Sequence, residues 1–363
     1  MGNTGSNIVR INQGLILTAR GRAPVPEVAG RPFVEHAISH LARFGVRDIV
    51  LLADEAARAR YHGRRLYGAD LSVLADPHEQ LRARLAERLE EICFVANGET
   101  FFDADLLPLI KMAQDSNWIG SALLPSPNNV NGGIALIQRQ ALLDSLAPNA
   151  HMLDLMHLAA AGKLAAVPGE GYFADIRSPQ GLQAARTGLA GARTRPAAFL
   201  DRDGTLNVDR SWTHRADQLE WIADAPAAVR MLNRAGYYVF VVTNQGGVAR
   251  GFYEEAAIER LHEHMQAHLM SHGAHIDAFY HCPHHPEGVV KSFAIECLCR
   301  KPGVGMLEQA ARDWPVDRAK SFMIGDRDTD IEAAAAFGVR GILFDPEKEN
   351  LLQRLSQELA VRA

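Results

Sequence analysis

Cysteine is scarce in this chain of 363 residues: there are 4, and three of them (Cys282, Cys297 and Cys299) fall in one His-rich stretch. That excludes a disulfide-stapled secreted scaffold and points the cluster towards metal instead. No apolar run approaches the roughly 20 residues that span a bilayer, and the polar start Met1-Gly2-Asn3-Thr4-Gly5-Ser6 has no signal-peptide core. A soluble, cytoplasmic protein is expected; Gly2 and Ser6 match the N-myristoylation pattern, which at that length arises by chance. No charge of one sign dominates, since the formal net charge is −5, so nothing electrostatic calls for nucleic acid or an anionic membrane as partner. Internal repeats are also missing. What is present is 47% hydrophobic residues, ordinary for globular protein, over a length that suits about two domains.

In the first half, residues 14–18 and 48–53 read as buried strands. Between them Phe33, Ala37, Ile38, Leu41 and Phe44 recur at helical spacing, making a β-α-β unit. Further strands are expected at Ile92–Ala96, Gly120–Leu124 and Gly133–Ile137 with helical patterns interleaved, hence an α/β layer structure. The runs Val28-Ala29-Gly30-Arg31-Pro32-Phe33-Val34-Glu35-His36, Phe44-Gly45-Val46, Asn97-Gly98-Glu99, Asn131-Gly132-Gly133-Ile134 and Gly171-Tyr172-Phe173-Ala174-Asp175-Ile176 occur in the order found in sugar-1-phosphate nucleotidyltransferases. The chain resembles that family over about residues 12–187, which implies a GT-A-type fold. The resemblance fails at the chemistry. Thr18-Ala19-Arg20-Gly21-Arg22-Ala23-Pro24 has too few glycines to form a nest of N–H groups around phosphates, and the family's lysine is missing. Glu99 stands where the family has a metal-binding aspartate, while Asp175 matches the second one. A domain without transferase activity is expected, serving binding or homo-oligomer assembly, in which Arg20 and Arg22 could still hold a phosphate. A bifunctional enzyme is the alternative.

Arg186 to Ala197 mixes Gly, Ala, Arg and Pro without periodicity, so the boundary is placed after residue 187, giving domains 1–187 and 188–363. Beyond it, Phe199-Leu200-Asp201-Arg202-Asp203-Gly204-Thr205 reads as a buried strand ending on two aspartates that can aim at one small volume. Such a pair suits Mg²⁺ binding together with nucleophilic and acid–base work on a phosphoryl group. A helical pattern at Pro226–Ala235 precedes the strand Tyr237–Val242, which ends in Thr243-Asn244-Gln245-Gly246-Gly247, a source of neutral donors for phosphoryl oxygens. Ser321–Ile324 is another apolar strand, followed at once by Gly325-Asp326-Arg327-Asp328-Thr329-Asp330, and Lys301 supplies a fixed positive charge.

In this order the motifs resemble the haloacid dehalogenase superfamily over about residues 197–345. The resemblance implies that Asp201 attacks phosphorus and that Asp203 protonates the leaving oxygen and then activates water. It also implies that Asp201, Asp326 and the main-chain carbonyl of Asp203 hold Mg²⁺, that Thr243, Asn244 and Lys301 bind phosphoryl oxygens, and that Asp330 orients its neighbours. His281-Cys282-Pro283-His284-His285-Pro286-Glu287-Gly288 and Cys297-Leu298-Cys299 provide Cys282, His284, Cys297 and Cys299 for a closed, structural Zn²⁺ site. His281 and His285 read as bystanders. This loop, with Val248-Ala249-Arg250-Gly251, resembles heptose bisphosphate phosphatases, with histidinol-phosphate phosphatases as near neighbours. The implied substrate is a small sugar phosphate, the C7 phosphate of a heptose 1,7-bisphosphate in surface-polysaccharide precursor synthesis, with Arg250 and Arg300 on the distal phosphate. The expected whole is two doubly wound α/β domains, the second Rossmann-like with a zinc loop and no large cap.

Overall fold

The computed structural model describes residues 11–18, 26–75, 81–113, 115, 117–125, 133–145 and 164–362. Gly2, Ser6, Arg20, Arg22 and the Asn131-Gly132 pair lie outside them. The chain divides into two compact units, Met1–Arg193 and Thr194–Ala363. The boundary expected after residue 187 falls inside a helix, Pro179–Arg193. Its Ala185 and Leu189 are buried with Phe33, Phe101 and Ala174, so apolar burial ties the glycine-containing stretch to the first unit where composition alone suggested a linker.

The strands of the first unit among the described residues are β1 (Gln13–Leu17), β2 (Glu27–Val28), β3 (Arg31–Pro32), β4 (Asp48–Ala53), β5 (Arg65–Leu66), β6 (Ala69–Ala75), β7 (Ile92–Asn97), β8 (Thr100–Asp103), β9 (Gly120–Leu124), β10 (Ile134–Gln138), β11 (Ala165–Pro168) and β12 (Tyr172–Asp175). Eight form one sheet in the order β11-β9-β10-β7-β1-β4-β6-β5, while β8 pairs with β12 and β2 with β3. β1 runs parallel to both neighbours, β4 and β7. All five of its residues are buried, which is why it reads as a continuous apolar run.

Helix α1 (Val34–Arg43) buries nearly its whole circumference, including His36. The Val28 carbonyl lies 3.0 Å from His36 Nε2, so that nitrogen carries the proton, and Nδ1 accepts from Arg193 Nη1 at 2.5 Å. Burial, with Arg193 adding to it, brings this pKa down to about 3. Above pH 6.5 the ring is neutral folded or unfolded; between 6.5 and 3 only the unfolded chain takes the proton, so stability falls as pH falls through that window. Amide-exchange protection of α1 is expected to drop by about 2 kcal/mol from pH 7 to pH 5, with a smaller slope in His36→Gln. Equal protection at both pH values in the parent would contradict the assignment.

The second unit is a five-stranded, all-parallel sheet of β13 (Ala197–Leu200), β14 (Tyr238–Asn244), β15 (Ala278–Cys282), β16 (Phe322–Gly325) and β17 (Arg340–Leu343), in the order β15-β14-β13-β16-β17. β13 is buried throughout, and Phe199 packs between Phe240 and Phe337 at 5.5 and 5.6 Å. Helices Ala225–Arg234 and Glu255–Ser271 set Val229, Leu232, Leu261 and Met265 into the same apolar cluster as Leu200 and Ile324. The chain goes from β13 to β14 and β15 on one side, then to β16 on the other, so the carboxyl end of β13 is the topological switch point where such sheets place a site. Between β13 and β14 lie a loop, a 3₁₀ turn at Ala216–Gln218 and one helix; no cap domain is inserted among the described residues. Among them, too, no helix is long and apolar enough to cross a membrane.

Candidate active site

Register brings the motifs together. Leu200 lies opposite Val241 on one side and Ile324 on the other, so Asp201, Thr243 and Asp326 emerge from three adjacent strand ends. Gly204, with φ +84°, turns the chain away, and a Cβ there would lie 2.3 Å from Asp326 Oδ2. Glycine is required both for the left-handed backbone and for this close approach.

Lys301 Nζ donates to Asp201 Oδ1 at 2.7 Å and to the Val242 carbonyl at 2.8 Å, with Asp330 Oδ1 2.6 Å away. The ammonium is 2% exposed, and burial alone would lower its pKa. Asp201 and Asp330 outweigh that and hold it raised. For Asp201 burial wins: it pushes the carboxyl up to about 7 against the pull of Lys301, with Asp330 and Asp203 adding to the rise. Asn244, expected to face phosphate, is placed elsewhere. Its Nδ2 donates to the Lys301 carbonyl at 3.0 Å and its Oδ1 accepts the Lys301 N–H at 2.9 Å. Both ends of the amide are spent on holding the backbone of Lys301, 57 residues away.

Asp203 sits in a different environment. Its Oδ1 accepts from Asn207 at 2.9 Å; its Oδ2 accepts from Arg202 at 2.7 Å and from Gln245 at 2.8 Å. Burial would raise its pKa, but Arg202, Asn207 and Gln245 outweigh it and keep the carboxyl below its usual range. Arg202 is wholly buried and also donates to the Thr213 carbonyl at 2.7 Å, with His262 Nε2 at 3.4 Å. Arg202, Asn207 and Gln245 were not singled out from sequence. The one available signal was a charged residue inside an otherwise buried strand end.

Carboxylate oxygens of Asp201, Asp326 and Asp330 lie within 4.8 Å of one another. Asp326 Oδ1 is buried without a hydrogen-bond partner, and burial, with the Asp330 charge adding, raises the pKa of Asp326. An orphaned acceptor among three clustered carboxylates fits an oxygen-loving divalent cation. Asp330 belongs to this cluster as well as orienting its surroundings, since its Oδ2 accepts the Arg327 N–H at 3.1 Å.

The cysteine-rich loop leaves β15, whose Cys282 is level with Asn244 of β14; Gln245 N–H donates to the Cys282 carbonyl at 2.7 Å. Cys282, His284, Cys297 and Cys299 offer ligand atoms within 4.8 Å of one another. Sulfur–sulfur distances are 3.2, 3.2 and 3.5 Å, and His284 Nδ1 lies 3.2 Å from Cys299 Sγ. Three sulfurs and one imidazole in a closed cluster fit Zn²⁺. The Cys282 thiol, with Cys297 and His284 adding, holds Cys299 down at about 5 against burial, which would raise it. His281 meets Glu255 Oε1 at 2.9 Å, away from the cluster. His285 accepts from Arg250 Nη2 at 3.1 Å, while Arg300 Nη1 donates to the His284 carbonyl at 3.2 Å. A Cβ on Gly246 would meet both Arg300 and His285 at 3.3 Å, so two arginines flank the loop that follows Thr243.

In the first unit, β8 pairs with β12, and Ile176 N–H donates to the Glu99 carbonyl at 3.0 Å, which sets Glu99 beside Asp175. Asp175 is taken by Arg177, whose Nε donates to Oδ1 at 2.9 Å and whose Nη2 donates to Oδ2 at 2.5 Å. Burial would raise the Asp175 pKa, yet the Arg177 bonds prevail and lower it. The carboxylate matched to a metal ligand already has an internal cation.

Two aspartates on the central strand of a parallel sheet, a hydroxyl and a lysine from its neighbour's side and an acidic cluster opposite define a phosphoric monoester hydrolase of the haloacid dehalogenase-like class. Residues 298–354 match the family model described as HAD-hydrolase-like. A protein of Rhodopseudomonas palustris named D-glycero-beta-D-manno-heptose-1,7-bisphosphate 7-phosphatase is 48% identical over 158 residues, 44% of this chain and 88% of that relative. The chain belongs to the family of these heptose bisphosphate phosphatases. Among solved structures it is similar to D,D-heptose 1,7-bisphosphate phosphatase from B. bronchiseptica complexed with magnesium and phosphate (30% identity, TM-score 0.41, 46% of this chain and 99% of that one). It is also similar to a glucose-1-phosphate thymidylyltransferase from Bacillus anthracis (14% identity, TM-score 0.39, 48% of this chain and 94% of that one).

Proposed function

We propose that the second unit hydrolyses the 7-phosphate of D-glycero-beta-D-manno-heptose 1,7-bisphosphate through an aspartyl phosphate on Asp201. The observation that carries this is the contrast between the two aspartates: Asp201 ion-paired to Lys301 at 2.7 Å, Asp203 set apart by three donors. A carboxylate oxygen of Asp201 attacks phosphorus as the bond from phosphorus to the sugar oxygen breaks, and the proton of Asp203 passes to that oxygen. Water then attacks phosphorus, its proton returns to Asp203, and the bond to Asp201 breaks, releasing inorganic phosphate. The Thr243 hydroxyl donates to a phosphoryl oxygen, and Lys301 offsets the negative charge gathered around Asp201. Asp201, Asp326 and the Asp203 carbonyl would hold Mg²⁺, which when bound screens the repulsion between carboxylate and phosphate. Arg250 and Arg300 would meet the distal phosphate. Cys282, His284, Cys297 and Cys299 would hold a structural Zn²⁺ that anchors the segment leading to Arg300 and Lys301. A cluster of free thiols suits a reducing, cytoplasmic setting.

In an assay of the full chain with Mg²⁺, one equivalent of phosphate is expected per heptose bisphosphate, with no further release from the heptose 1-phosphate left behind. Faster turnover of histidinol phosphate would overturn the substrate assignment. The first unit is read as a binding or assembly module without transferase activity, because Arg177 neutralises Asp175. The same preparation should therefore yield no pyrophosphate from heptose 1-phosphate and any nucleoside triphosphate, while light scattering of the full chain reads the assembly role.

A further inference from the structure

We propose that Gln245 and Tyr253 are positioning residues that decide which hydrogen bonds Asp203 and Thr243 have left for the reaction. This rests on the phosphatase reading. Gln245 is 2% exposed and touches two groups of the site at once: Nε2 donates to Asp203 Oδ2 at 2.8 Å and to Thr243 Oγ1 at 2.9 Å. Asp203 Oδ2 also accepts from Arg202 and so carries no proton, whatever the state of Oδ1, and the amide must turn its NH₂ towards Asp203 and its carbonyl the other way. There Oε1 accepts the Tyr253 hydroxyl at 3.0 Å. The Tyr253 ring is itself stacked on His214, 4.5 Å between centroids and 13° from parallel. A reversed amide would set an oxygen against the carboxylate and forfeit the bond that the Tyr253 hydroxyl donates to Oε1, so the tyrosine supports the orientation that Asp203 demands.

Two consequences follow for the chemistry. Asp203 Oδ2 receives both Gln245 and Arg202, at 2.8 and 2.7 Å, which uses both of its lone-pair directions. Oδ1 receives Asn207 alone. One direction on Oδ1 is open, and the proton exchanged with the leaving oxygen and then with water passes through that atom. Thr243 Oγ1, for its part, accepts from Gln245, so its own proton is released to point at a phosphoryl oxygen. Without Gln245 nothing donates to the hydroxyl oxygen, and its proton is no longer directed at the phosphate.

The test compares the parent, Tyr253→Phe and Gln245→Leu on two esters in the full chain with Mg²⁺. 4-Nitrophenyl phosphate has a leaving group that needs little protonation; the heptose bisphosphate has an alkoxide that needs much. Both variants should lower kcat on the sugar more than on the aryl ester, raising the aryl-to-sugar ratio of kcat by about tenfold. Gln245→Leu should lower both further through Thr243. Tyr253→Phe keeps the ring and is expected to fold even where Gln245→Leu does not. Equal losses on both esters, as from a merely structural role, would overturn the proposal, as would an unchanged kcat. A parent that hydrolyses neither ester would instead overturn the phosphatase reading itself.

Discussion

Asp201→Asn should abolish phosphate release, with kcat falling by at least about 10⁴-fold, as when other enzymes lose their nucleophile. The substitution replaces one carboxylate oxygen by an NH₂ of nearly the same size, so packing at the end of β13 is preserved. Lys301 keeps Asp330 at 2.6 Å and the Val242 carbonyl at 2.8 Å, which leaves its charge compensated and the fold intact. The loss should thus come with a melting temperature close to that of the parent. Steady-state phosphate release read beside scanning calorimetry separates the two effects. Unchanged turnover in a folded Asp201→Asn protein would end the aspartyl-phosphate mechanism.

The second large effect is expected at the cysteine loop. Cys297→Ser removes one of the four ligands of the proposed Zn²⁺ site, and sites of this kind in isolated zinc-finger peptides bind their metal with about 10–16 kcal/mol. Purified parent should carry about one zinc per chain and the variant close to none. Activity should fall by about 10–100-fold, the usual cost of losing a metal site's supporting contact, because Cys299 immediately precedes Arg300 and Lys301 and Gln245 is bonded to Cys282. The Mg²⁺ requirement should stay as it was, since the acidic cluster shares no residue with the loop. Elemental analysis, phosphate release and amide exchange across residues 297–305 check this. A zinc-free parent with full activity would contradict it.

The β-strands that carry the site were legible because strands buried on both faces are written as unbroken apolar runs. β13, β14 and β16 were placed within a residue or two from such runs alone. Strand β6 was not anticipated; its burial alternates at one side of the first unit's sheet, where a weaker apolar pattern is enough. Residues 186–197 were read as a linker, although 186–193 are the last two turns of the helix Pro179–Arg193, because Gly188 and Gly191 mask the spacing of Ala185 and Leu189. Side chains that emerge at strand ends, Asp201, Thr243 and Asp326, could be found by position, and Lys301 by its motif. The amides and guanidinium that support them, Asn207, Gln245 and Arg202, could not, since nothing in their spacing marks the partner they reach.

Local order along the chain thus determined, by itself, which thiols and carboxylates lie close together: Cys297 with Cys299, Asp326 with Asp330. Short spacing and a strand end are sufficient for that. Only the tertiary structure decided where Asn244, Gln245 and Asp175 point: to the Lys301 backbone, to Asp203 with Thr243, and to Arg177. An amide or carboxylate can serve a substrate or a neighbouring group with equal ease. Which it serves depends on donors and acceptors brought within 3 Å by strand register and by loops folding back over tens of residues.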